Sequence, residues 1–124
     1  MSNEITLSQS LKVQKGYFTF GPRAINSLGV TMTGTHSDGR VQDIGTTEES
    51  LAISADVATL GYCTMRNNDT TNYVQIGVKP SGTFFPLLKL KPGESAQFRW
   101  DPSATPYAKA NTASVPLEHY TLED

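Results

Sequence analysis

Cysteine is almost absent from this chain. The 124 residues hold one, Cys63, so no intrachain disulfide framework can staple the fold. Histidine is nearly as scarce. His36 sits in a polar stretch beside Asp38 and His119 lies beside Glu118; with no further His or Cys at ligand spacing, a zinc site is not expected. Both histidines read as surface or rim residues. Apolar runs are short, and none approaches the ~20 residues a membrane-spanning helix needs. Met1-Ser2-Asn3-Glu4 does not open a positively charged region followed by an apolar run, so synthesis and folding in a cytoplasm is the expectation, with no membrane partner.

Charge is sparse as well. Lys and Arg total 10, Asp and Glu 12, charged residues make up 18%, and the net charge is −2. The two signs are interspersed, and no basic stripe is present to neutralise several phosphates, so no nucleic-acid partner is expected. There is no Gly-x-Ser-x-Gly elbow to present a nucleophile, no dense carboxylate loop for calcium, and no phosphate-cradling loop before a helix. The reading is a protein that is not an enzyme, with no catalytic residue, cofactor or metal ligand assigned.

What the chain does have is threonine, glycine and proline. Thr occurs at fifteen positions, and its β-branched side chain suits a pleated surface. Ten glycines and seven prolines punctuate short alternating runs, the pattern of an all-β domain. The expected architecture is an antiparallel β-sandwich or jelly-roll-like barrel of eight to ten short strands. It is a single domain over 1–124, in which residues 1–15 can serve as an extended arm contacting neighbouring subunits.

The strands can be placed by their alternation. Glu4-Ile5-Thr6-Leu7 and Leu11-Lys12-Val13-Gln14 open the chain. Tyr17-Phe18-Thr19-Phe20 is expected to stop at Gly21-Pro22. Val30 to Thr33 is a strand, Ser37-Asp38-Gly39 a hairpin turn, and Arg40 to Ile44 the returning strand. Between Thr46 and Leu60 a capping-box pattern competes with alternation, and a strand over 48–55 is preferred, with a helical turn allowed near 56–60. Later come strands at Gly61 to Arg66, Asn72 to Val78, Phe84 to Leu90, Ser95 to Trp100, Tyr107 to Ala110 and Ala113 to Glu123. Pro86 places its strand at an edge or bulge. Lys91-Pro92-Gly93-Glu94 fits a type II turn, and Ala96, Phe98 and Trp100 align inward. Cys63 reads as a small buried apolar residue.

Aromatic residues carry the remaining signal. They can fill a core or form a sugar-stacking platform, and Phe18 and Phe20 face the same way while Tyr17 points opposite. Adjacent Phe84 and Phe85 must send one ring to each side of their strand, which leaves one for a partner to cover. Candidate interface residues are therefore Ile5, Leu7, Leu11 and Val13 of the arm, with Tyr17, Phe84 and Phe85.

Leu60-Gly61-Tyr62, Arg66 to Gly77, Phe85 to Glu94, Tyr107-Ala108-Lys109-Ala110 and Glu118 to Glu123 together resemble a family of small tailed-phage virion structural proteins, over about residues 60–123. The resemblance implies a virion component located on the capsid surface and made in a host cytoplasm. Its implied role is a capsid decoration or cement protein that bridges subunits of the major capsid protein as a homo-oligomer, a trimer being favoured. A tail, neck or fibre-associated subunit, or a carbohydrate-binding or adhesion module, are the alternative readings.

Overall fold

The computed structural model describes residues 3–124 and separates into two compact units, Met1–Thr33 and Gly34–Asp124. The first is a two-stranded antiparallel hairpin, β1 (Ile5–Lys15) and β2 (Phe18–Val30). The second is an all-antiparallel sandwich of eight strands. These are β3 (Ser37–Ile44), β4 (Glu49–Ser50), β5 (Leu60–Asn67), β6 (Val74–Val78), β7 (Phe85–Leu90), β8 (Ser95–Arg99), β9 (Tyr107–Ala110) and β10 (Val115–Glu123).

The two sheets of the sandwich run β3-β10-β5-β8 and β4-β9-β6-β7. The hydrogen-bonded pairs are thus first strand with last, second with seventh, third with sixth and fourth with fifth. This is one long folded ribbon rolled into two sheets, the eight-stranded jelly roll. The all-β expectation holds, in its jelly-roll form.

Alternation explains which face of each strand is inside. Val115, Leu117, His119 and Thr121 of β10 are buried, and Cys63, Met65 and Asn67 of β5 share that side. From the other sheet come Val74, Ile76, Leu90, Ala108 and Ala110. Each buried aliphatic side chain contributes about 1.5–3 kcal/mol. Phe98 and Trp100 point inward as their spacing predicted and meet edge to face, with ring centroids 4.7 Å apart at 88°. Trp100 is buried, so it offers no surface on which a sugar could stack.

Turn chemistry follows the sequence where side chains act locally. Gly93 adopts φ +82°, and the amide of Glu94 donates to the carbonyl of Lys91 at 2.9 Å, as a type II turn requires. Asp69 Oδ2 accepts from the amides of Thr71 and Asn72 at 3.0 and 2.6 Å, closing the Asn-rich turn. Pro86 lies on the edge strand β7 beside a register shift.

Four expectations are corrected. Gly21-Pro22 does not end a strand, because β2 continues through it to Val30. Residues 31–33 lie outside any strand. Ser37-Asp38-Gly39 is not a turn but the start of β3, paired with Leu122, Thr121 and Tyr120. The strand expected over 48–55 shrinks to Glu49–Ser50, since Leu51 to Ser54 leave the sheet to cap the core edge, with Leu51 buried.

Candidate functional site

The hairpin is the unusual part of this chain. Its turn is Gly16-Tyr17, with Gly16 at φ +59° in the first central position, where a type II′ turn calls for glycine. β2 has 13 residues against 11 in β1, and two bulges account for the difference. Between the pairs Leu11–Arg23 and Val13–Phe20, β1 has one residue and β2 has two, Gly21 and Pro22. Between Leu7–Leu28 and Gln9–Ile25, the extra residue falls at Asn26-Ser27. At the first bulge Gly21 has φ +78°, and a Cβ there would stand 2.6 Å from the carbonyl oxygen of Leu11. At the second, Ser27 has φ +56° and its amide donates to Ser8 Oγ at 3.1 Å.

Each bulge shifts the alternation by one residue, and between them Ile25 is turned onto the same side as Leu28 and Phe20. One face of the hairpin therefore carries Ile5, Leu7, Leu11 and Val13 of β1 opposite Val30, Leu28, Arg23 and Phe20 of β2. Ile25 and Phe18 complete the apolar set, opposite Gln9 and Lys15. The other face carries Thr6, Ser8, Ser10, Lys12, Gln14 and Thr19. Leu7 is buried, but Leu11 is 61% exposed, Phe18 62%, Ile25 45% and Leu28 44%.

Four of the seven sequence-assigned interface residues, Ile5, Leu7, Leu11 and Val13, thus lie together on one face. Tyr17 occupies the turn and is fully exposed. Phe84 and Phe85 belong to the sandwich, where Phe85 at the start of β7 is exposed and Phe84 half-buried. Sequence reasoning missed Phe18, Phe20, Ile25, Leu28 and Val30 as members of this face. Their alternation is plain only when one residue is skipped at each bulge, and the Gly-Pro pair concealed that.

The sandwich holds a second polar constellation. On β3 the inward positions are Asp38, Arg40 and Gln42, beside His119 and Leu117 of β10. Gln42 Oε1 accepts from the amide of Ala52 at 2.9 Å, and its amide nitrogen donates to Glu49 Oε1 and to the carbonyl of Ser50. The His119 Nε2 proton is therefore directed at Gln42 Oε1, 3.0 Å away. Burial holds this imidazole below its ordinary value of 6.5, and Arg40 adds to the effect. His119 is buried, contrary to the surface position expected from its neighbours. His36 is exposed as expected; it is paired with Glu123 at 3.0 Å, which raises its pKa.

These polar groups are consumed in structural bonds. Asp38 Oδ2 accepts from Arg40 and from the amide of Ser54. Cys63 is buried, and burial pushes its thiol up to about 12. Among the described residues no cluster of three or more His, Cys, Asp or Glu could hold a metal ion. Outside the barrel, a shallow open depression is lined by Thr64, Arg66, Ser95, Glu118 and Tyr120. No described helix is long and apolar enough to cross a membrane.

No protein-family model matches the chain, and no curated protein matches it. Among solved structures, a chain from work titled "Bacillus endospore appendages form a novel family of disulfide-linked pili" is similar at a TM-score of 0.48 and 12% identity. The match covers 77% of this chain and 95% of that one.

Proposed function

We propose that this chain is a structural subunit of a larger particle, working through the surfaces it presses against other chains rather than through catalysis. The observation that carries this is the exposed apolar face of the hairpin. A lone two-stranded hairpin is marginal in water, and an apolar stripe along one side of it is stabilised only when something covers it. The specific particle we propose is a tailed-phage head, with this chain as a decoration protein on the capsid surface, bound to the major capsid protein. Support comes from the resemblance of residues 60–123 to small phage virion proteins. The jelly roll is compatible with this but also occurs in lectin and cupin domains, so it does not choose the role.

Purified phage heads lacking a decoration layer provide the test. On this reading the protein co-sediments with them and saturates at hundreds of copies per particle, with copies visible at regular positions in an electron cryomicroscopy map. Saturation at about a dozen copies would move it to the neck or tail, and no binding to any shell would remove the phage reading.

A further inference from the structure

We propose that the apolar face of the hairpin is covered by the sandwich of a second copy of this chain, so that each copy lends its arm and receives another; this rests on reading the hairpin as an assembly element. Charge is the first argument. Residues 3–33 carry Lys12, Lys15 and Arg23 against Glu4, a net +2, whereas residues 34–124 carry seven basic and eleven acidic residues, a net −4. The two units of separate copies are therefore electrostatically complementary.

The cations stand where they matter. Lys15 and Arg23 lie on the apolar side of the hairpin, Lys15 opposite Phe18 and Arg23 opposite Leu11. Arg23 lies 5.8 Å from the centroid of the Phe20 ring, and neither cation has an ion pair among the described residues. A mid-strand arginine and Gln9 on this side also argue against a lipid bilayer as the cover, because a charge is costly on the lipid face of a membrane strand.

A matching surface exists on the outer side of β3 and β10. Val41 is 57% exposed and Tyr120 44%. Asp43 and Glu118 flank Val41, one two residues along β3 and the other directly opposite on β10. Glu118 is engaged by Asn68 and Tyr120 and feels Arg66, but no cation pairs with Asp43 among the described residues. An apolar patch edged by a free carboxylate is what an apolar hairpin carrying two free cations fits.

Area makes the exchange mutual. Eleven residues at ~3.3 Å each give a hairpin about 35 Å long and about 10 Å wide, a footprint of roughly 350 Å². One such contact buries about 700 Å² in total, below the ~1,200 Å² of a stable interface. Two, one given and one received, reach about 1,400 Å². A two-fold dimer in which each copy gives its hairpin to the other satisfies this.

The test uses the full chain. Analytical ultracentrifugation should find a closed dimer, with Leu11→Asp and Val41→Asp each weakening it by at least about tenfold while circular dichroism stays unchanged. Arg23→Glu should weaken it similarly, and adding Asp43→Arg in the same chain should restore it. Should a variant misfold, oxidative cross-linking of a Leu11→Cys chain mixed with a differently tagged Val41→Cys chain gives an independent reading, a mixed disulfide being expected. A wild-type monomer at all concentrations, or no mixed disulfide, overturns the inference. So does dissociation by Leu87→Asp with Val41→Asp silent, or binding of the wild type to neutral phosphatidylcholine vesicles that Leu11→Asp abolishes. Binding to phage heads is measured separately, so a monomer that still coats them would sink the exchange and leave the decoration reading intact.

Discussion

The side-chain amide of Asn67 donates to the carbonyl of Leu90 at 2.8 Å. The same nitrogen donates to the carbonyl of Asn72 at 2.9 Å, and Asn67 Oδ1 accepts from the amide of Asp69 at 2.8 Å. Its own amide donates to the carbonyl of Glu94, and its carbonyl accepts from Gly93. One fully buried asparagine thus ties the end of β5 to the Asn-rich turn, to the end of β7 and to the type II turn.

Replacing Asn67 should cost more than any surface asparagine. Asn67→Ala removes the donor to the buried carbonyl of Leu90 and the partners of a half-buried carbonyl and amide at Asn72 and Asp69, and an expected loss is about 3 kcal/mol. Urea denaturation measures it, as a lower midpoint with an unchanged slope. Asn67→Asp keeps the acceptor and loses both donors, so it should be destabilised too. By contrast Asn68→Ala, which removes an exposed bond to Glu118, should stay within about 0.5 kcal/mol.

The two histidines should act on stability in opposite directions. In the fold His119 sits below 6.5, so the unfolded chain takes up the proton first. Its contribution is complete above 6.5 and is lost as the pH falls from there toward the folded value. His36 is raised above 6.5 by Glu123, so its contribution is complete below 6.5 and is lost as pH rises through its folded value. Thermal midpoints of a His36→Asn chain should therefore gain less than those of the wild type as the pH is lowered from the folded value of His36 to 6.5. A His119→Gln chain should lose the acid-side fall below 6.5.

Glycines 77 and 39 should respond differently to alanine. A Cβ on Gly77 would overlap the carbonyl oxygen of Phe85 and stand 2.8 Å from its carbon, both backbone atoms. Gly77→Ala should cost about 3 kcal/mol by forcing β6 and β7 apart. At Gly39 the overlap is with the Tyr120 ring, a side chain 44% exposed that can swing aside at the cost of its exposed bond to Glu118. Gly39→Ala should cost under about 1 kcal/mol, and chemical denaturation separates the two.

Cys63 should be inert while the protein is folded. Its thiol is buried and pushed up to about 12, and only the thiolate attacks a disulfide reagent. Labelling by such a reagent at pH 8 should follow the rate of unfolding and become immediate in denaturant. Fast labelling of the native chain would contradict the burial.

Much of the sandwich was legible because its signals are local. The Lys91 to Glu94 turn, the inward set Ala96, Phe98 and Trp100, and the edge position of Pro86 all follow from neighbours a few residues apart. The start of β3 is misread because Asp38 and Gly39 look like turn residues. The partners that hold the strand's polar side chains are distant: Asp38 accepts from the amide of Ser54, and Gln42 meets His119, 77 residues away. The hairpin was half legible. Ile5, Leu7, Leu11 and Val13 alternate openly, but Gly21-Pro22 signals a stop and here forms a bulge, because Gly21 takes a positive φ beside Leu11. No local rule states which way a chain will resolve a Gly-Pro pair.

The pairing of β3 with β10 fixes an order of events when the protein is made. β3 leaves the ribosome early, yet β10, its one sheet neighbour among the described residues, is completed when residue 122 has been synthesised. Until then Ile44, Gln42 and Arg40 lack the β10 residues they face, Val115, Leu117 and His119, and closing so distant a contact is slow. The nascent chain must therefore wait with an open edge, and truncation anywhere in β10 should yield an aggregating product rather than a smaller folded one.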